Sequence, residues 1–167
     1  MYRVNNLACV RRYSAIRGRR LTAYEAAVER FAASPAGAWT FRRIIAPLDR
    51  RTGAGASRAL RVPVGTLETT GARTGRPRHT ALLYQRDGEA LVLVASNYGG
   101  AAPPAWLRNL DAHPSVRFDG RAYTARVASG AERDRRWRSA VDFFAGYAAY
   151  AGRTRRQIAL VILTPQQ

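Results

Sequence analysis

Three arginines, Arg73, Arg76 and Arg78, are interleaved with Gly71, Gly75 and Pro77 in the stretch TTGARTGRPRHTALLY. Glycine and proline interrupt regular structure, so the guanidinium groups are expected on a tight turn between two strand-like runs. An arginine fork grips a phosphate or a carboxylate through two parallel hydrogen bonds, and glycines let backbone N–H groups approach the same oxygens. The chemistry on offer is anion binding. A solvated basic hairpin has the same composition, and the turn by itself leaves both readings open. Other reactive residue types are sparse. His79 has no acid partner visible in the sequence and is not assigned as a base, His113 precedes Pro114 at an expected helix end, and Cys9 stands alone. A single cysteine excludes an intramolecular disulfide, and no CxxC or His/Cys cluster has metal-ligand spacing.

The 167 residues are 47% hydrophobic and 10% aromatic, enough for one domain with its own core. All 28 basic residues are arginine, against 11 acids, and the net charge is +17. The excess is N-terminal: residues 1–62 carry 13 arginines and 3 acids, a net +10, against +3 for 63–128 and +4 for 129–167. Such a charge predicts attraction to a polyanion, whether nucleic acid, an anionic membrane surface or an acidic cofactor tail, and does not choose among them. No run approaches the ~18 apolar residues of a membrane span. The Arg11-Arg12 pair lacks the apolar core of an export signal, so a cytoplasmic protein is expected.

The elements that must position these groups can be read in order. Residues 1–20 contain no acid and are expected to form a basic, flexible arm. Segment 21–51 is expected to be helical and amphipathic. Thr22 and Glu25 form a capping box, and Tyr24, Ala27, Val28 and Phe31 follow at helical spacing until Pro35. Trp39, Phe41, Ile44, Ile45 and Leu48 then make an apolar side against Arg42, Arg43, Arg50 and Arg51, with Pro47 bending or ending the helix. That helix is expected to pack on the domain, with an anionic bilayer as the alternative surface.

Residues 52–61 form a Gly/Ala linker that opens a β-rich unit, 52–167. Strands are expected near 64–70, 79–86, 90–96, 115–119, 121–128 and 157–164, with tight turns at Asp87-Gly88 and Asp119-Gly120. A short helix spans Pro103–Ala112, and a longer one runs from Ala131 to about Tyr150 with Trp137, Val141, Phe144 and Tyr147 or Tyr150 on one side. Mostly antiparallel hairpins with interleaved helices predict an α+β, mainly β fold, a small barrel with helices packed outside it.

Four motifs occur in one order: TTGARTGRPRHTALLY (69–84), LVLVASNYGG (91–100), PAWLRNLDAHP (104–114) and FFAGYAAYAGRTRRQIALVIL (143–163). Together, over about residues 40–165, they resemble the deazaflavin (F420)-dependent nitroreductase and quinone reductase family. The resemblance implies a split β-barrel that binds coenzyme F420, a 5-deazaflavin whose lactyl phosphate and oligoglutamate tail are polyanionic. It places Arg73, Thr74, Arg78, His79 and Thr80 at the phosphate and tail, and Ala81, Leu82 and Leu83 beside the ring. Ala95, Ser96 and Asn97 fall at the ring edge. Ala105, Trp106 and Asn109 fall on a helix that closes over the cofactor, its first N–H groups adding an anion-friendly end. Tyr147 and Tyr150 match aromatic residues on the acceptor side and, with Ser96, are the implied catalytic donors of a hydrogen bond or proton to the acceptor. The chain departs from the family pattern at Ala72, where Arg or Lys is usual, and at Asn97, where Lys is often found. It departs again at Leu83 and Phe144, where some members carry Tyr.

The implied activity is hydride transfer from reduced F420 to a quinone or nitro-type acceptor. The alternatives are an FMN-dependent split-barrel oxidoreductase and a non-catalytic F420 carrier. A nucleic-acid partner is not expected, because the aromatics do not interleave with arginine on one strand face as a base-stacking platform requires. The expected partners are a small-molecule acceptor, a quinone first, and an anionic membrane met peripherally at the inner face of the cell membrane. A monomer or homodimer is expected, without a metal.

Overall fold

The structure, a computed structural model, describes residues 23–52 and 64–166. The basic arm, Thr22 of the capping box, Cys9 and most of the Gly/Ala linker lie outside these residues.

Six strands close into an antiparallel barrel in the order β1-β2-β3-β6-β5-β4. They are β1 (Val64–Thr70), β2 (Pro77–Asp87), β3 (Ala90–Val94), β4 (Ser115–Phe118), β5 (Arg121–Val127) and β6 (Leu160–Pro165). The expected barrel and its six strands are present. Closure rests on a short seam in which Leu67 pairs with Phe118 and Glu68 with Arg117. The Asp119-Gly120 turn has both residues at positive φ, 47° and 83°, as a tight hairpin requires. The other turn lies one residue later than expected: Asp87 pairs with Ala90, so Gly88 and Glu89 form the bend.

Two apolar clusters share β3 and β6. Leu91, Leu93, Val161 and Leu163 face one, with Leu67, Val116, Phe118 and Trp106. Val92, Val94, Leu160 and Ile162 face the other, with Phe144, Tyr147 and Tyr150. Burial on both faces explains why these two strands are unbroken apolar runs in the sequence while β1 alternates.

Helix α1 (Ala23–Ala33) ends before Ser34, whose Oγ accepts from the Gly37 N–H at 3.0 Å and caps α2 (Pro35–Thr40). Pro35 therefore opens a second helix as well as ending the first. A π turn, Phe41–Ile45, leads into α3 (Ala46–Thr52). Pro47 has no N–H, and its ring crowds the carbonyl one turn back. The helix widens there, with the Ala46 N–H reaching the Phe41 carbonyl, and then continues. The extra residue in that turn breaks the apolar periodicity. Of the expected apolar side Phe41 is buried, whereas Trp39, Ile44 and Leu48 are exposed.

Helix α4 (Ala105–Ala112) lies between β3 and β4, and the expected long helix after Ala131 is instead two, α5 (Gly130–Phe143) and α6 (Gly146–Ala151), between β5 and β6. The break is at Phe144, which adopts extended φ/ψ and turns its ring inward against Tyr147. A Cβ on Gly146 would lie 2.2 Å from that ring, so only glycine lets the aromatic fold back there.

Candidate active site

The arginine turn sits where β1 meets β2. Gly71 N–H donates to the Arg76 carbonyl at 2.9 Å, and the Thr74 and Gly75 N–H groups donate back to the Gly71 carbonyl. The Ala72 N–H donates to Oδ1 of Asn109 at 3.1 Å. These amides are spent within the protein, contrary to the expectation that they would line an anion site. The guanidinium groups are not. Arg73, Arg76 and Arg78 are exposed, and among the described residues none is paired with a carboxylate. Anion binding at this turn is therefore side-chain chemistry, with the backbone serving as a rigid mount.

The expected turn residues divide between two elements. Arg73 and Thr74 lie in the bend, but Arg78, His79 and Thr80 already belong to β2, opposite Thr69, Glu68 and Leu67. Alternation along a strand then separates neighbours. Arg78, Thr80 and Leu82 share the face of Leu67, while His79, Ala81 and Leu83 share the face of Glu68 and Thr66. His79 thus has an acid partner that the sequence did not show: its Nδ1 lies 3.8 Å from the Glu68 carboxylate, both side chains being well exposed. The six residues Thr80 to Gln85 are all half-buried, in contrast to the buried β3 beside them. This open flank of β2 is the surface available to a flat ring.

Helix α4 ties the turn to the loop that precedes it. Its Asn109 is 9% exposed and uses both ends of its amide, Oδ1 accepting from Ala72 and Nδ2 donating to the Thr69 hydroxyl at 2.9 Å. Trp106 is 5% exposed in the barrel's inner cluster, and Ala105 is exposed at the helix start. Asn109 and Trp106 therefore act first as anchors that fix where α4 and the turn stand.

The loop between β3 and α4 carries Ala95, Ser96 and Asn97. Ala95 is fully buried, and its N–H donates to the Ala159 carbonyl, so it roots the loop and leaves no side-chain surface for a ligand. Ser96 and Asn97 are partly exposed. Asn97, Tyr98 and Gly99 all take positive φ, 46°, 54° and 79°. A side chain at Gly99 would also meet the Tyr150 carbonyl at 2.8 Å, so glycine is required there on two counts.

Tyr98 projects from this loop between Phe41, 6.4 Å away by ring centroid, and Tyr150, 5.9 Å away. Tyr147 and Tyr150 are both buried, with ring centroids 6.4 Å apart. The Tyr150 hydroxyl donates to the Ala32 carbonyl at the end of α1, at 2.7 Å, and Arg153 donates to the carbonyl of Ala33. Burial pushes the Tyr150 phenol well above its usual pKa, the nearby Tyr98 adds to this, and the Arg153 guanidinium opposes it. Tyr150 is thus a bonded, reluctant acid and a clamp on α1. Neither Tyr98 nor the Tyr150–Ala32 bond was foreseen from the sequence, because the two partners are 118 residues apart.

An antiparallel six-stranded barrel with a basic β1–β2 turn, an open strand flank and an aromatic wall defines a split-barrel cofactor-binding oxidoreductase. Residues 40–165 match the model of the F420H(2)-dependent quinone reductase family, and the chain belongs to that family. It is 39% identical over 105 residues to an F420H(2)-dependent quinone reductase of Mycobacterium tuberculosis, covering 59% of this chain and 70% of that protein. A solved F420-H2 dependent reductase superposes with TM-score 0.54 at 34% identity, over 60% of this chain and 93% of the other. A second solved structure, described as a domain-swapped dimer, gives TM-score 0.55 at 30% identity, over 70% of this chain and 93% of that one. Among the described residues no helix is long and apolar enough to cross a membrane, and no group of His, Cys, Asp and Glu could hold a metal ion.

Proposed function

We propose that this chain is an F420H2-dependent reductase that delivers a hydride to a quinone, with its two ends doing separate work. The observation that carries this is the β1–β2 turn, where three exposed guanidinium groups that pair with no carboxylate among the described residues stand at the head of the half-exposed β2 flank. Cationic, open and rigidly mounted, the turn suits the phosphate and carboxylates of the F420 tail. Arg73, Thr74 and Arg78 hold the tail, Ala81 and Leu83, which share one face of β2, border the ring, and Ser96 and Asn97 meet its edge. Bound reduced F420 supplies the hydride. The protein's task is to keep the acceptor ~3–3.5 Å from the donating carbon, exclude water and offer a hydrogen bond where charge develops on the acceptor oxygen. Tyr150 forms the wall of that space, since its hydroxyl is committed to Ala32. Ser96, which is partly exposed, is the group we assign to the acceptor oxygen, and Tyr147 is buried in the wall beside Tyr150.

The test is a side-by-side fluorescence titration with F420 and FMN at low and high salt. F420 is expected to bind more tightly, with an affinity that falls as salt rises, because the turn is exposed and its contacts ionic. Equal or tighter FMN binding overturns the cofactor assignment. A salt-independent F420 affinity removes the arginines from it.

We also propose that the helical segment meets an anionic bilayer in which a quinone dissolves. Tyr24, Phe31, Trp39, Ile44 and Leu48 are 43–55% exposed on it, alongside exposed Arg42 and Arg43. Co-sedimentation of the full chain with phosphatidylglycerol vesicles, but not with phosphatidylcholine vesicles, is the expected result. Failure to sediment with either ends this part of the reading.

A further inference from the structure

We infer that Arg156 is a positioning residue for the reaction: its guanidinium holds the Ala95–Gly100 loop in the strained conformation that aims Ser96 and Asn97 at the cofactor ring. Arg156 lies in the segment between α6 and β6, beyond every residue placed above at the site. Its Nε donates to the Gly100 carbonyl at 3.1 Å, and its Nη2 donates to the carbonyls of Ala95 at 3.1 Å and Ser96 at 2.7 Å. Both ends of the loop are thereby tied to one rigid, planar group. Among the described residues no carboxylate pairs with Arg156, and its three side-chain hydrogen bonds all go to carbonyls of the loop. Partial burial lowers its pKa from the ordinary arginine value, though an arginine remains charged at any working pH.

The loop needs such a holder. Asn97 and Tyr98 occupy left-handed φ consecutively, a conformation that Asn tolerates and that an aromatic residue such as Tyr disfavours. Conformations of this kind persist only where their surroundings over-determine them. One side-chain bond within the loop, Asn97 Nδ2 to the Ala102 carbonyl at 2.9 Å, helps from the exposed side. Arg156 supplies three from beneath. Its fork geometry matters, because a lysine ammonium is a single point donor and cannot bridge Gly100 and Ser96 in the same way.

This inference rests on the assignment of Ser96 and Asn97 to the ring edge, so its test includes that assignment. Parent, Arg156→Met and Arg156→Lys proteins are compared for F420 dissociation constant, for kcat with menadione at saturating reduced F420, and for thermal midpoint. A displaced loop is expected to weaken F420 binding and to lower kcat, each by about tenfold or more for Arg156→Met, since small misplacements of positioning groups are costly. Arg156→Lys is expected to recover part of both. A merely structural arginine would lower the thermal midpoint and leave affinity and saturated kcat at parent values, and that result overturns the inference. If Arg156→Met does not fold, Arg156→Lys decides alone: parent affinity and kcat in that variant count against a role for the fork. A parent protein that does not bind F420 at all refutes the cofactor reading instead, and does so before any variant is compared.

Discussion

The two ends of the proposed site are built in opposite ways. At the tail end, guanidinium groups stand in solvent on a turn whose Gly71, Ala72, Thr74 and Gly75 amides are bonded within the protein, so charge is presented freely and shape is fixed by the chain itself. At the acceptor end, Phe41 stacks on Tyr98, the rings of Tyr98, Phe144, Tyr147 and Tyr150 pack tilted or edge to face, and the Tyr150 phenol holds a helix in place. One end recognises by charge and tolerates water. The other excludes water and can recognise only by shape and a few bonds. The difference teaches that substitutions at the two ends should fail in different measurable quantities.

Arg78→Ala should produce the largest change and confine it to the cofactor. Loss of a charge-assisted bond predicts affinity for F420 weaker by about 1.5–3 kcal/mol, with kcat unchanged once the cofactor is saturating. Undiminished affinity would remove Arg78 from the tail end and blur the contrast.

Tyr150→Phe should act on stability. It strips the Ala32 carbonyl of its donor, and a loss of about 1–2 kcal/mol by chemical denaturation is expected, with turnover of menadione near the parent rate. Ser96→Ala should show the reverse, a loss of turnover larger than any loss of F420 affinity, the pattern of an interaction made mainly in the transition state. A large turnover loss in Tyr150→Phe with parent stability would make Tyr150 the donor and collapse the distinction between Tyr150 and Ser96.

The smallest effect serves as a reference outside both ends. Glu132 accepts a bidentate pair from Arg126 at 2.8 and 2.9 Å and a further contact from Arg136, and these hold its pKa at about 2, below the usual 4.5. A depressed carboxyl stabilises the fold fully above its unfolded pKa, and that contribution disappears as pH falls from about 4.5 toward 2. The groups are exposed, so the effect is small and screened by salt. Glu132→Gln should flatten acid unfolding slightly in that window and leave F420 affinity at neutral pH untouched. A changed affinity would show that α5 communicates with the site.

Much of this was legible in the sequence because it depends on near neighbours. The β1 alternation, the apolar runs of β3 and β6, the Asp119-Gly120 hairpin and the arginine turn are each set by residues a few positions apart. Even the break between α5 and α6 had a local sign in Gly146, though helical spacing outweighed it. What adjacency cannot reveal is which distant group completes a bond.

Chain order and local chemistry alone determined that this protein forms a six-stranded barrel with an exposed cationic turn, since hairpin register and strand burial follow from alternation and turn residues. Tertiary structure decided the roles of individual side chains. It placed Glu68 across from His79, spent the Asn109 amide on Thr69 and Ala72, committed Tyr150 to Ala32, and set Arg156 beneath a loop some 60 residues earlier. A polar group's role depends on its partner, and a partner brought in by folding carries no mark in the sequence around it.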